Sequence, residues 1–307
     1  MIIDAHCHIG EIRHYNIDGW VAPYDQAGFG RGIQEPPYMA RTPESDFRAR
    51  RYPNPLAVDV DRLIKRMDEA GVDKTVVVPV DIKRWKTKVP NEYVAEKVKK
   101  YPDRLIGLAS TDPVGGEKSV KELHHAINDL GLSGLKLLPS YDLISPDDER
   151  IFPLYEAALD LGIPVQIHTG HSPGGMMKFE TPMLLDEIAM KYPKLKIHIL
   201  HSGYQWAYLT PMLMLKHVNV WSDIAWWYAW PLENLVRLLG LCKHFSVLNK
   251  LMWGTDNFDN KTDLDRLRKV PEEAKKLNIA PGLPDITDHD IRIVLGENAA
   301  RFYDVRA

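Results

Sequence analysis

The sequence predicts an α/β fold, a (β/α)8 TIM barrel with a long loop insertion after strand 1. Short, almost wholly apolar runs alternate with segments of helical periodicity, which is typical of a parallel sheet buried on both faces. Eight such units fit within 307 residues once the insertion is set aside. The alternative, an open doubly wound sheet, calls for a glycine-rich phosphate turn after the first strand, where this chain has a His-x-His sequence.

Each predicted element follows from local pattern. The predicted strands are 2–9, 73–79, 104–109, 134–138, 163–168, 195–201, 218–223 and 250–256. The predicted helices are 59–70, 91–100, 118–130, 153–161, 182–191, 211–216, 232–241, 263–277 and 288–294. Gly71 suits the left-handed residue that ends a helix, and Pro153 suits a first helical turn.

Residues 11–57 lack regular periodicity and are rich in glycine, proline and arginine. Their many aromatic residues argue against simple disorder. A loop this long in a compact domain is commonly functional. We therefore predict one domain, 1–307, in which the 11–57 insertion forms an ordered lid over the barrel mouth.

Composition narrows the class of protein. A net charge of -3 and a pI near 6.5 argue against a nucleic-acid partner, and the absence of long apolar runs argues against a membrane partner. The chain enters its first strand without a signal-like segment, and Cys7 and Cys242 are too few for a disulfide framework. These features predict a cytoplasmic protein without a nucleic-acid or membrane partner.

Polar side chains stand at the carboxyl ends of the predicted strands: His6 and His8 on the first, His168 on the fifth, His201 on the sixth and Asp256 on the eighth. Side chains alternate along a strand, so His6 and His8 point the same way. Taken alone, a His-x-His sequence is as consistent with one buried and one surface histidine as with the start of a metal site. In a barrel, however, all these ends surround one mouth, and imidazoles with a carboxylate are ligands of a catalytic divalent metal.

The sequence resembles the amidohydrolase superfamily, in the amidohydrolase-related branch that includes aminocarboxymuconate semialdehyde decarboxylase and related aromatic decarboxylases. The matching pieces are Asp4-Ala5-His6-Cys7-His8, Gly134-Leu135-Lys136, Ile167-His168-Thr169-Gly170, His201-Ser202-Gly203, Gly254-Thr255-Asp256 and the closing segment 296–302. The resemblance spans the chain except for 11–57.

The resemblance implies one divalent ion bound by His6, His8, His168 and Asp256, with zinc expected first and manganese as the alternative. Asp256 and His201 would be the catalytic residues, with His201 in an acid–base or polarising role. Binuclear members carry a carbamylated lysine at the position of Lys136, but the same context occurs in mononuclear members. We expect one ion, with Lys136 structural or in contact with substrate, and a homo-oligomer.

Two chemistries fit these residues. We expect a metal-dependent hydrolase in which a metal-activated water attacks a small, carboxylated lactone, ester or amide. The alternative is a metal-dependent, non-oxidative decarboxylase of an aromatic or muconate-like acid. A barrel that binds without turnover would be favoured by a missing ligand, and none is missing. The aromatic cluster Trp221–Trp230 could wall a substrate pocket or form an oligomer contact, and His198 is expected on the opposite strand face from His201 in a structural role.

Overall fold

The structure, a computed structural model, describes residues 1–16, 58–172, 174–227, 230–257, 260–278 and 280–305. Within them, eight parallel strands form the predicted TIM barrel. They are β1 (Ile3–His8), β2 (Lys74–Val78), β3 in two segments (Leu105–Gly107 and Ala109–Ser110), β4 (Leu135–Leu137), β5 (Val165–Ile167), β6 (Ile197–Ile199), β7 (Val220–Asp223) and β8 (Leu251–Met252).

Neighbouring strands pair in chain order, and β3 joins both of its neighbours through its two segments. The barrel closes where β1 meets the residues that follow β8. There Ala5 N donates to Trp253 O at 2.9 Å and Asp256 N donates to His6 O at 2.8 Å. This closure places the tips of β1 and β8 side by side.

Helices cover the outside of the barrel. They are α1 (Val60–Ala70), α2 (Asn91–Lys100), α3 (Glu117–Asn128), α4 (Phe152–Asp160), α5 (Leu185–Lys191), α6 (Thr210–Lys216), α7 (Leu232–His244), α8 (Asn260–Leu277), α9 (Asp288–Arg292) and α10 (Asn298–Phe302). Asp59 begins α1 by accepting hydrogen bonds from two backbone amides, and Gly71 ends it at φ 72°. Pro153 lies in the first turn of α4, as predicted.

The barrel interior is polar, in contrast to the apolar layer between strands and helices. Asp4, His6, Lys136, Gln166 and Asp223 are all fully buried. Gln166 on β5 reaches across to donate to Ala5 O on β1 at 3.0 Å, so these side chains meet inside the barrel. Buried polar groups are costly unless paired, and their concentration at one place marks the site.

Of the predicted 11–57 insertion, residues 11–16 are described and include a short turn at Ile12–His14. Residues 17–57 lie outside the described residues, so the lid stays a prediction. Among the described helices, none combines the length and the apolar character that crossing a membrane requires.

Candidate metal centre

The tips of β1 and β8 bring His6, His8 and Asp256 together. Asp256 Oδ1 lies 3.3 Å from His8 Nε2 and 3.7 Å from His6 Nε2. One potential ligand atom from each of the three residues lies within 4.8 Å of the others. Two imidazoles and a carboxylate at these separations could hold one divalent cation.

His168 and His201 lie at the same mouth. The His201 ring centroid is 5.1 Å from that of His168 and 5.1 Å from that of His6. His168 belongs neither to this group nor to the second compact group among the described residues, which consists of His6, His201 and Asp223. Its Nε2 is nevertheless buried and has no hydrogen-bond partner among the described residues. A buried polar atom of this kind calls for a partner, and a metal ion would be one. The fold thus brings all five predicted residues together, while their roles stay a prediction.

Burial keeps the histidines neutral. It lowers the pKa of His6 to about 3, and it lowers the pKa of His8, His168 and His201 below the ordinary value. Burial alone would raise the pKa of Asp256, but the facing imidazoles hold it well below its ordinary value. The site therefore offers neutral nitrogen donors and an ionised carboxylate, a donor set that fits Zn²⁺ or Mn²⁺.

Lys136 stands at the edge of this cluster. Its side chain is fully buried on β4, and its Nζ lies 3.1 Å from His6 Nε2. Burial lowers the pKa of Lys136 to about 7, although the carboxylates of Asp256 and Asp223 act in the opposite direction.

Asp223, at the end of β7, is a site residue that the sequence prediction missed. Its Oδ1 accepts from His201 N at 2.7 Å and from Ala225 N at 3.1 Å. Its Oδ2 faces His6 Nδ1 at 3.4 Å and His198 Nε2 at 3.1 Å. The sequence signal that could have identified it is its position, because Asp223 is a carboxylate at a strand end like Asp256.

His201 lies in a left-handed turn that follows β6. The four residues 201–204 have φ values of 60°, 47°, 71° and 43°, in a region that side chains other than glycine rarely adopt. Asp223 holds the amide of His201, and Trp227 Nε1 donates to the His201 carbonyl at 2.8 Å. The turn directs the imidazole towards the metal cluster. The expectation that His198 faces away from His201 is wrong, because both residues contact Asp223, His198 through Nε2 at 3.1 Å and His201 through its amide. The strand alternation on which the expectation depends stops at Ile199.

Aromatic side chains wall the mouth. Tyr141 packs edge-on between Trp85 and His168, with ring centroids 5.1 Å from each. On the other side Tyr204 stacks on His201, and Trp226, Trp227 and Trp230 lie around it. The predicted tryptophan cluster is therefore divided, since Trp221 packs on Phe302 instead. Tyr228 lies outside the described residues.

A family model described as amidohydrolase matches residues 3–305. The 2-amino-3-carboxymuconate-6-semialdehyde decarboxylase of Dictyostelium discoideum is 27% identical over 172 residues, which are 47% of this chain and 48% of the relative. The match thus spans about half the length of that curated protein.

Solved structures share the fold over the whole chain. An uncharacterised TIM-barrel protein from Bordetella bronchiseptica has a TM-score of 0.69 at 19% identity and covers 99% of this chain and 98% of its own. A 5-carboxyvanillate decarboxylase from Novosphingobium aromaticivorans, solved with bound manganese, has a TM-score of 0.67 at 19% identity, with 99% and 97% covered. A probable 2-pyrone-4,6-dicarboxylic acid hydrolase from Acinetobacter baumannii has a TM-score of 0.62 at 16% identity, with 99% of both chains covered.

Proposed function

The chain belongs to the amidohydrolase family of metal-dependent enzymes, and we propose that it hydrolyses a small, carboxylated lactone, ester or amide. The observation that carries the proposal is the cluster of His6, His8 and Asp256, whose potential ligand atoms lie within 4.8 Å of one another beside neutral His201. Asp256 keeps its negative charge in this setting, as a carboxylate ligand of a metal ion requires.

We propose that His6, His8, His168 and Asp256 bind one divalent ion, zinc or manganese. The ion would supply Lewis-acid activation of a water molecule or of a substrate oxygen. The unpartnered Nε2 of His168 and the neutral state of the other imidazoles support this ligand set.

His201 can both take and give a proton. Its Nδ1 lies 3.1 Å from Ala225 O and 2.8 Å from the Tyr204 hydroxyl. When Nδ1 donates to the carbonyl, Nε2 is an acceptor; when Tyr204 donates to Nδ1, Nε2 carries the proton and can donate it. This exchange suits a residue that protonates a leaving group.

Lys136 is the cation that we assign to the substrate carboxylate. Its amine stands at the edge of the cluster, 3.1 Å from His6 Nε2. Alternatively, a carbamylated Lys136 would bridge two metal ions. The number of metal ions bound per chain distinguishes these two roles.

Decarboxylation of an aromatic or muconate-like acid is the second candidate. The curated relative named above is a decarboxylase, as is the manganese-bound neighbour. Both reactions use a metal, a carboxylated substrate and a proton donor, so the same residues serve either.

Isotopes distinguish the two reactions. The metal-loaded protein is incubated with carboxylated lactones, esters, amides and aromatic acids in labelled water. Hydrolysis places oxygen-18 from H₂¹⁸O in the product acid, whereas decarboxylation in D₂O places deuterium on carbon and releases CO₂. Oxygen-18 incorporation is expected; deuterium with CO₂ would establish the second candidate, and turnover of no compound in the panel would count against both.

Elemental analysis tests the metal count. About one zinc or manganese per chain is expected for a site with three or four protein ligands. About two per chain would assign Lys136 to a bridge between metals.

We also propose a cytoplasmic homo-oligomer. Large apolar side chains are exposed around α5 and α6, namely Met183, Met190, Tyr208, Met212, Leu215 and Val218, and such surfaces are commonly covered by a partner. The free cysteines Cys7 and Cys242 are both buried, which suits a reducing compartment. A monomeric mass in solution at micromolar concentration would contradict the assembly.

A further inference from the structure

A line of buried polar side chains runs through the barrel floor to His6. It begins at Gln166 on β5, whose Nε2 donates to the Tyr303 hydroxyl at 2.6 Å. Tyr303, just after α10, lies 2.9 Å from His198 Nδ1, and His198 Nε2 lies 3.1 Å from Asp223 Oδ2. Asp223 Oδ2 is in turn 3.4 Å from His6 Nδ1.

The donors and acceptors along this line determine which atom carries each proton. Gln166 Nε2 also donates to Ala5 O, which can only accept, so the amide orientation is fixed. The Tyr303 oxygen accepts from Gln166, and its own proton is therefore available for His198 Nδ1. The remaining proton of His198 then lies on Nε2, which is 3.1 Å from Asp223 Oδ2, although the two atoms are not aligned as a hydrogen bond.

Asp223 determines which ring nitrogen of His6 carries the proton. Its Oδ1 is occupied by the amides of His201 and Ala225, which leaves Oδ2 to face the two imidazoles. A carboxylate accepts and does not donate, so the His6 proton belongs on Nδ1. The lone pair of His6 Nε2 then faces the mouth, on the side of Asp256.

We propose that Tyr303, His198 and Asp223 are positioning residues that fix the tautomer and ring orientation of His6 and thereby raise the affinity of the site for its divalent ion. The inference rests on the proposed function, in which His6 is a ligand. Partners of this kind on ligand histidines commonly change metal affinity ten- to a hundred-fold. Through these contacts Tyr303, in the C-terminal segment of the chain, would affect the metal affinity of a site at the other end of the barrel.

A purely structural role is the competing explanation. Tyr303 packs edge-on against Phe302, at 4.9 Å between ring centroids, and it also contacts the His198 ring. Its ring could simply fill the barrel floor. Tyr303→Phe separates the two roles, because it keeps the ring and removes only the hydroxyl.

The experiment measures the Kd of metal-free protein for Zn²⁺ and for Mn²⁺ by competition with a chromophoric chelator. The variants are Tyr303→Phe and His198→Leu. The matched control is Tyr155→Phe in α4, which also removes a buried hydroxyl. That hydroxyl donates to Pro146 O at 2.8 Å. Circular dichroism and Tm confirm that each variant is folded.

We expect a Kd about ten- to a hundred-fold weaker for His198→Leu, a smaller but measurable loss for Tyr303→Phe, and an unchanged Kd for Tyr155→Phe. Wild-type affinity in Tyr303→Phe together with wild-type affinity in a folded His198→Leu would overturn the inference and leave the proposed function intact. If His198→Leu does not fold, wild-type affinity in Tyr303→Phe alone overturns it. A wild-type chain that binds neither metal overturns both.

A second measurement reports the tautomer without metal. In ¹⁵N-labelled, metal-free protein, the long-range ¹H–¹⁵N spectrum is expected to show His6 protonated on Nδ1. A His6 protonated on Nε2 would overturn the inference whatever the affinities are.

Discussion

His168 is the clearest case of a side chain whose surroundings are incomplete without a ligand. It is 5% exposed, and its Nε2 has no hydrogen-bond partner among the described residues. Leaving a buried polar group unsatisfied costs about 1–3 kcal/mol. A metal ion bound to Nε2 would remove this cost, and the neighbouring His201 and His6 suggest such a site.

Replacing His168 tests this at the level of one residue. His168→Ala is expected to reduce bound zinc or manganese from about one equivalent to well under half, since a catalytic site has only three or four protein ligands. His171→Ala is the matched control, because it removes an imidazole three residues further along the same loop. Elemental analysis after dialysis gives the count, and equal metal in the two variants would remove His168 from the ligand set.

The turn after β6 shows how an element can be strained to serve a site. Residues 201–204 stay in the left-handed region although only Gly203 is suited to it. Thr210 Oγ1 donates to Ser202 O at 2.9 Å, and Asp223 holds the His201 amide, so the surroundings enforce the turn. Strain of this kind is typical of segments that place a catalytic group.

Gly203→Ala is expected to disturb this turn more than an ordinary glycine substitution. Its Cβ would lie 2.4 Å from Pro182 Cγ at φ 71°, whereas a Cβ on Gly71 would have no atom within 4 Å at nearly the same φ of 72°. Gly71→Ala should therefore lose only the left-handed penalty, about 1–2 kcal/mol. Urea unfolding should give a clearly larger loss for Gly203→Ala, and equal losses would show that the contact with Pro182 relaxes freely.

The loop between β5 and α5 contains a buried carboxyl group, Glu180. Ser172 Oγ donates to its Oε1, while Oε2 has no hydrogen-bond partner among the described residues. Burial raises the pKa of Glu180 to about 7, and the hydrogen bond from Ser172 only partly opposes this shift. The folded loop therefore prefers the protonated acid.

This preference gives stability a definite pH dependence. Between the ordinary value of 4.5 and about 7 the folded state holds a proton that the unfolded state releases. The contribution is fully present below pH 4.5 and is lost as pH rises through 7, by an amount on the order of 1–3 kcal/mol. Urea unfolding from pH 5 to 8 should show Glu180→Gln losing less stability than wild type, and parallel profiles would contradict the assignment.

At the scale of the whole molecule, the periodicity of the sequence was sufficient to predict the barrel and most of its helices. Strand alternation and the common mouth of a barrel were sufficient to bring His6, His8, His168, His201 and Asp256 together. The rules failed where regular structure stops. The left-handed turn after Ile199 changes the direction of His201, and the contacts of Asp223 depend on partners from β1, from β6 and from the turn after β6, which no local pattern connects.

Metal removal should lower the stability of the whole molecule, because an ion at this site would hold side chains of β1, β5 and β8 together and would contact the unpartnered Nε2 of His168. A ligand that binds only the folded state stabilises it by about 2.7 kcal/mol at a hundredfold excess over Kd. For a chain of 307 residues that corresponds to roughly 4 °C in Tm. Chelation should lower the Tm by about this amount, and Zn²⁺ or Mn²⁺ should restore it.

His168→Ala should show almost no response to either treatment, while His171→Ala should respond like wild type. A wild-type Tm that ignores both chelator and metal would mean that the imidazoles at the mouth hold no ion.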